Sequence, residues 1–324
     1  MATLTADEVI ATFKEVKTVA ICPHINPDGD ALGSSLALAA LLRSFGCEAT
    51  CLLAEDRPAP SIYSFFEDYE FVPAIAYEAN PDLFIAIDVP STRRLCDGVA
   101  VMERSLSSLC IDHHPDYGDF ADHYHGDSKA SATASIVWSL IKASGVEITK
   151  AMADYCYVGL MTDTGRFAFQ NTNQQAFHDA SEMVAHGVDP SFISMRVYEN
   201  KSTSILNLES RLIDRMHFAN QDSVVYSWID ENDFQELQLN REDSEGLPTI
   251  LRSIADVQVA LLLRIEDDTV RVNMRSRGDF DVGALARSLN GGGHKAAAGI
   301  TYLGSKDEVL AILLGELHGL EPLE

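Results

Sequence analysis

The sequence predicts an α/β fold: a doubly wound parallel-sheet domain, then a smaller α+β domain with a mixed sheet. Three observations carry that prediction. Short, almost wholly apolar runs at residues 19–22 and 82–87 have the composition of parallel strands covered on both faces. Over the first half of the chain such runs alternate with segments of helical length. Beyond residue 222 the order changes, and two strands at 257–265 and 269–276 follow one another around the acidic turn Glu266, Asp267 and Asp268.

The elements follow in order. The first 16 residues read as a short amphipathic helix capped by Thr5, not as a signal peptide. Strand 19–22 enters the stretch HINPDGDALGS at 24–34, and residues 31–42 form a buried helix. Strand 48–53, a Pro-rich connection through 57–60, a strand ending at Asp88, and a strand through 109–111 ending in Asp112, His113 and His114 come next. Helices are predicted at 130–144, at 149–161 with Asp163 two residues beyond Met161, and at 173–186 closed by Gly187. The edge of the first domain falls at 187–190. Residues 190–221 read as a helical connector, with Ile205, Leu208, Leu212, Ile213 and Met216 at helical spacing. The second domain, 222–324, contains a strand at 223–229, helices at 230–239 and 246–254, and the hairpin. It ends with a helix at 281–289, the glycine run 291–293 and a closing helix at 306–317. The expected division is therefore 1–189, 190–221 and 222–324.

Composition narrows the function. At 324 residues the length favours two domains, and 46% hydrophobic with 23% charged residues is a soluble globular composition. No apolar run reaches the roughly 20 residues of a bilayer span, so no membrane partner is expected. The six cysteines form no CxxC pair and sit mostly in apolar runs, which points to reduced core residues in a cytoplasmic protein. The net charge of −25 disfavours long nucleic acids, whose binding depends on clustered cations. Short anionic substrates are compatible with it, because bound cations or a local patch can invert the field. Residues 269–304 form such a patch, with Arg271, Arg275, Arg277, Arg287 and Lys295 against Asp279 and Asp281.

Hard donors collect where strands are predicted to end: His24, Asp28, Asp30, Asp88, His113 and Asp163. Pro27 and Gly29 suit a tight turn, and the same Pro-Asp-Gly-Asp also reads as an ordinary turn with Asp30 capping the following helix. Four carboxylates and two imidazoles exceed the needs of one divalent ion. They suit two cations bridged by a shared carboxylate, with Mn(II) favoured and Mg(II) the alternative. Without metal the four aspartates repel one another. Two ions about 3.5–4 Å apart hold a bridging hydroxide and phosphoryl oxygens in the geometry of in-line hydrolysis. His123 and His125 read as a solvated polar loop, and His178, His186, His217 and His318 as surface or capping residues in helical patterns. Arg166 and Phe167, beside Asp163, either contact a base or pack.

HINPDGDALGS, Asp88 after its apolar strand, IDHH at 111–114 and MTDTG at 161–165 resemble the four motifs of the DHH phosphoesterase superfamily. RSRGDFDVGALARSLNGGGHKAAAG at 275–299 resembles the DHHA1 domain. The match runs in order over nearly the whole chain and is most similar to the bacterial oligoribonuclease and 3'-phosphoadenosine-5'-phosphate phosphatase group. The resemblance implies that His24 and Asp28 ligate one metal, that Asp30, His113 and Asp163 ligate the second, and that Asp88 bridges both. It implies that Asp112 supports the site and that His114 faces the substrate as proton donor. It further implies that Arg275, Ser276, His294 and the amides of Gly291, Gly292 and Gly293 hold the phosphate. Asn290 stands where this family often has glycine. Short RNA, linear dinucleotides or nucleotide bisphosphates are the implied substrates, and a homodimer is the implied assembly. Cyclic-dinucleotide hydrolysis, RecJ-type exonuclease action on single-stranded DNA and inorganic pyrophosphate hydrolysis are the catalytic alternatives. A non-catalytic nucleotide- or RNA-binding module is the alternative of another class, and all six ligand positions are present to argue against it.

Overall fold

In the first half of the chain the apolar runs become strands because helices cover them from both sides. A computed structural model describes residues 2–115, 118–244 and 246–322. The chain divides into two compact units, Met1–Asn200 and Lys201–Glu324.

The first unit contains β1 (Ala2–Thr3), α1 (Ala6–Glu15), β2 (Thr18–Cys22), α2 (Gly29–Ser44), β3 (Glu48–Leu53), β4 (Val72–Pro73) and β5 (Leu83–Ile87). It continues with α3 (Thr92–Leu95), α4 (Gly98–Glu103), β6 (Ser107–Asp112), β7 (His123–Gly126), α5 (Thr133–Ser144), α6 (Lys150–Asp163), α7 (Gln174–Ala185) and α8 (Pro190–Tyr198). Seven strands pair in the order β1-β7-β6-β5-β2-β3-β4, every pairing parallel. Val19, Ile21, Leu83, Ile85, Ile87, Leu109 and Ile111 face the core made with α1, α2, α5 and α6. The intervening Ala20, Cys22, Phe84, Ala86 and Cys110 face Leu95 of α3 and Val101 of α4. Both faces are buried, which is why these strands lack polar alternation. β2 is followed by β3 on one side and flanked by β5 on the other, so the winding reverses between β2 and β5. The crevice beyond the carboxyl ends of such a pair is where open α/β sheets bind ligands.

Local chemistry sets the helix ends. Thr5 and Glu8 form a capping box on α1. Asp28, not Asp30, caps α2: its Oδ1 accepts the amides of Asp30 at 3.0 Å and Ala31 at 3.1 Å. α2 crosses α6 so closely that a Cβ on Gly33 would lie 2.4 Å from the Tyr155 carbonyl oxygen.

The second unit contains α9 (Thr203–Asp214), β8 (His217–Ala219), β9 (Val224–Asp230), α10 (Glu231–Leu237), α11 (Leu247–Arg252), β10 (Val259–Glu266) and β11 (Thr269–Ser276). α12 (Val282–Ser288), β12 (Gly292–His294), β13 (Ala297–Leu303) and α13 (Lys306–Glu316) complete it. Its sheet is mixed, in the order β12-β13-β11-β10-β9-β8, with β9 and β10 parallel and the remaining pairs antiparallel.

Several segments depart from their sequence reading. Residues 190–221 hold two helices, α8 and α9, and the edge strand β8. His217 lies in β8, where its ring stacks on Tyr226 at 5.3 Å and Trp228 at 5.5 Å between centroids; cross-strand stacking, not helical spacing, fixes it. His123 and His125 lie in β7, where pairing with β6 and β1 overrides the local polarity. The glycine run ends in strand β12, held by its pairing with β13. Asn290 adopts φ +61°, a left-handed conformation that asparagine tolerates as glycine does. No helix among the described residues is long and apolar enough to cross a membrane.

Candidate metal centre

Asp88 follows β5 in a left-handed conformation, φ +59°, with its amide held by the Ile111 carbonyl at 2.9 Å. A non-glycine residue held there carries local strain of about 1 kcal/mol or more. Its buried carboxylate is the meeting point of the site. His24 Nε2 is 3.4 Å from Oδ2, and His114 Nδ1 at 3.7 Å and His113 Nε2 at 3.8 Å approach Oδ1. The Thr133 hydroxyl donates to Oδ1 at 2.8 Å.

Four strand and helix ends bring the other donors to it. His24 lies two residues past β2; its Nδ1 is 2.7 Å from the Ile25 carbonyl and 2.9 Å from Arg94 Nη2, so that nitrogen serves one partner at a time. Asp30, in the first turn of α2, is buried and accepts from three donors. The Thr133 amide reaches its Oδ2 at 2.7 Å, and the Ala134 amide at 2.8 Å and the Ser34 hydroxyl at 3.1 Å reach its Oδ1. His113, just past β6, has its Nε2 3.6 Å from Asp163 Oδ2 and its Nδ1 3.2 Å from the Ala130 carbonyl. Asp163 is the last residue of α6, which runs two residues past the predicted helix end at Met161, so it reaches the site from a helix end and not, like the donors it was collected with, from a strand end. Asn171 Nδ2 donates to Asp163 Oδ2 at 3.2 Å.

One donor atom each from His24, Asp28 and Asp88 lie within 4.8 Å of one another; so do those of Asp30, His113 and Asp163, and those of Asp88, Asp112 and His114. Asp88 therefore belongs to two groups. All six candidate metal ligands converge. Asp112 is fully buried, and its Oδ1 sits 2.6 Å from His114 Nδ1.

Electrostatics shows what the cluster lacks. Burial, and then the charges of Asp88 and Asp163, push the Asp30 carboxyl well above the usual range. Burial, Asp28 and Asp88 do the same to Asp163. Burial opposes the charged form of Asp88 too, but the bond from His24 and the three imidazoles hold its carboxyl far below the usual range. Burial works against a charged His113, and the carboxylates of Asp88, Asp30 and Asp112 override it, raising the imidazole. Among the described residues no Lys or Arg pairs with any of Asp28, Asp30, Asp88 or Asp163. Asp112 Oδ2 is buried without a hydrogen-bond partner among the described residues. Oxygen and imidazole donors, crowded negative charge and an orphaned buried oxygen together fit divalent cations.

In the second unit, Arg275 lies in β11, opposite Ala260 of β10 and Ala297 of β13. Burial and the neighbouring Arg252 lower its guanidinium to about 10, so it is a full cation at neutral pH. No ion pair with Asp279 or Asp281 holds it; those carboxylates engage Lys295 and Arg287. Ser276, among the expected phosphate contacts, is buried, and its hydroxyl donates to the Lys295 carbonyl at 2.9 Å. The Gly291 amide donates to the Ala286 carbonyl at 2.8 Å. Gly292 and Gly293 are exposed and His294 half-buried.

Sequence reasoning missed Thr133, Ser34, Asn171 and Arg94. Thr133 and Arg94 meet partners far along the chain, Ser34 and Asn171 meet partners within eight residues, and none of the four stands out in the sequence. Arg166 and Phe167 pack: the guanidinium lies 4.8 Å over the Tyr198 ring, and Phe167 stacks on Phe177 at 5.4 Å.

Residues 18–160 match the DHH family, N-terminal domain, and residues 221–318 match the DHHA1 domain. The chain is 28% identical to a bifunctional oligoribonuclease and PAP phosphatase NrnA of Bacillus subtilis, covering 94% of this chain and 96% of that protein. It is 31% identical to the NrnA of Thermus thermophilus, over 88% and 84%. Among solved structures, an exopolyphosphatase-related protein from Bacteroides fragilis superposes with a TM-score of 0.87 at 25% identity, covering 96% of this chain and 95% of that one.

Proposed function

The chain belongs to the DHH family and carries a DHHA1 domain, and from that membership we propose that it is a phosphoesterase releasing mononucleotides from short oligoribonucleotides and AMP from 3'-phosphoadenosine-5'-phosphate. Its relatives are named for those two activities. The observation that carries the reading is Asp88 at the carboxyl end of the sheet, which is grouped with His24 and Asp28 and lies 3.8 Å from His113 of the Asp30, His113 and Asp163 group.

The enzyme is metal-dependent. The donor set suits two cations, one held by His24 and Asp28, the other by Asp30, His113 and Asp163, with Asp88 common to both. Two imidazoles among the donors favour Mn(II) over Mg(II). Bound there, the cations supply Lewis acidity at phosphorus and lower the pKa of the attacking water. The chain's own groups do the rest. Asp112 would accept the Nδ1 proton of His114 in its doubly protonated form and so orient the ring, whose second proton, on Nε2, would pass to the leaving oxygen. Arg275, His294 and the exposed backbone of Gly292 and Gly293 bind the substrate phosphate. The net charge of −25 restricts that grip to short substrates.

The test incubates manganese-loaded protein with 3'-phosphoadenosine-5'-phosphate, pApA, 5-mer and 24-mer RNA, single-stranded DNA and pyrophosphate, each with an EDTA control. Mononucleotide release from the short substrates alone, abolished by EDTA, is the expected result. Processive DNA degradation would move the chain to the exonuclease branch, and no turnover on any substrate would leave a binding module.

A further inference from the structure

α5 begins without a cap of its own. Its N-cap is Ala132, which has no side chain to accept the first amides. Those amides cross the fold instead, Thr133 N to Asp30 Oδ2 at 2.7 Å and Ala134 N to Asp30 Oδ1 at 2.8 Å. The helix thus uses a candidate metal ligand as its cap, and its positive N-terminus faces that carboxylate.

Lone-pair counting shows what this does. A carboxylate offers about four acceptor sites, two on each oxygen. On Asp30, Oδ1 accepts from Ala134 N and Ser34 Oγ and is filled, while among the described residues Oδ2 accepts only from Thr133 N. One lone pair remains, on Oδ2. The Thr133 hydroxyl meanwhile donates to Asp88 Oδ1 at 2.8 Å. One fully buried residue therefore holds two carboxylates, Asp30 by its amide and Asp88 by its hydroxyl. The clamp is kept tight from behind, because α6 passes so close that a Cβ on Gly159 would lie 2.6 Å from Ala134 Cβ and 2.8 Å from Asp30 Oδ1.

Resting on the metal-dependent reading above, we propose that Thr133 is a positioning residue for the reaction. It fixes the carboxylate of Asp88, the ligand common to both cations in that reading, relative to the carboxylate of Asp30. Its hydroxyl touches neither substrate nor reacting atoms, and acts through Asp88.

Thr133→Val keeps the amide and the shape and removes the hydroxyl; Thr133→Ser keeps the hydroxyl. Manganese affinity of the metal-free proteins is measured by titration calorimetry, alongside kcat and KM for 3'-phosphoadenosine-5'-phosphate and thermal unfolding without metal. We expect Thr133→Val to weaken metal binding and lower kcat by about 10- to 100-fold, with KM within about threefold, and Thr133→Ser to restore both. If Thr133→Val unfolds, Thr133→Ala carries the same comparison. Wild-type metal affinity and kcat in the hydroxyl-free variant would overturn the positioning role while leaving the phosphoesterase reading intact. A wild-type protein that binds no manganese would overturn both.

Discussion

Two buried aspartates, Asp88 in the first unit and Asp233 in the second, solve the same problem in opposite ways. Asp233 brings its own cations: Arg211 Nη1 at 2.9 Å to Oδ1, and Arg215 with Nη1 at 2.5 Å to Oδ2 and Nη2 at 2.9 Å to Oδ1. It also completes the capping box at the start of α10. Asp88 has three imidazoles at 3.4–3.8 Å, one hydroxyl, and two further carboxylates whose own ionisation it opposes. A carboxylate that serves the fold alone is neutralised by fixed guanidinium groups. One left among imidazoles and other carboxylates has its compensating charge supplied from outside, and that is what marks a cation site.

Removing each carboxylate sharpens the contrast most. Asp88→Asn keeps the volume and removes the shared charge, and we expect kcat to fall roughly 10³-fold, about 4 kcal/mol of transition-state stabilisation, with loss of bound manganese. Steady-state kinetics with metal analysis checks it. A variant that kept both its metal and most of its turnover would refute the shared-ligand arrangement.

Metal removal is the next largest effect and should act on one side of the comparison only. Manganese at a hundredfold excess over its Kd stabilises the protein that binds it by about 2.7 kcal/mol. For a unit of this size that is a rise in Tm of roughly 5–10 °C. Hydrogen exchange resolved along the chain should show the gain in β2, β5, β6, α2 and α5 and leave β9, α9 and α10 unchanged. Equal protection of both units by manganese would break the contrast.

Asp233→Asn tests the other side. It leaves two arginines without their shared partner and weakens the cap of α10, a loss of about 2 kcal/mol after allowance for the partly exposed guanidinium groups. Urea unfolding measures it, and manganese affinity should stay at the wild-type value.

The difference between the two aspartates also explains how much the sequence disclosed. His24, Asp28, Asp88 and His113 were legible because each stands beside an apolar run, and a buried parallel strand is the most visible element a sequence offers. Asp163 was legible just beyond the helix predicted at 149–161; α6 runs two residues further, through Thr162 to the ligand itself, and the chain turns at Gly165, with φ +55°. Thr133 was hidden because helix starts are read from capping side chains, and here the cap is Asp30, 103 residues away. β12 was hidden because glycine has no strand preference of its own, and its pairing with β13 is a tertiary fact. Arg211, Arg215 and Asp233 are ordinary surface types in the sequence; only the packing of α9 on α10 gathers the two partly exposed arginines around a buried carboxylate.

The smallest effect, and the finest test of the comparison, is in the pH dependence of stability. Burial alone would raise Asp233, but Arg215 and Arg211 outweigh it and hold the carboxyl below its usual value when folded. A carboxyl depressed in the folded state contributes stability that is fully present above its unfolded pKa, near 4, and is lost as the pH falls through the folded value. Acidification from neutrality therefore leaves this contribution intact until about pH 4 and removes it below, by no more than about 1 kcal/mol given the exposure of both arginines. Asp30 and Asp163 run the other way in metal-free protein, since raised carboxyls disfavour the folded state at neutral pH and cease to do so as they take up protons. Metal-free wild type should thus gain stability from these two as the pH falls from neutrality before the Asp233 contribution is lost, and manganese should abolish the gain while leaving the loss below pH 4. Urea midpoints for wild type and Asp233→Asn across pH 3–7, with and without metal, separate the two limbs. A low-pH limb equally steep in Asp233→Asn would mean that the guanidinium pair does not set the acid stability of the second unit.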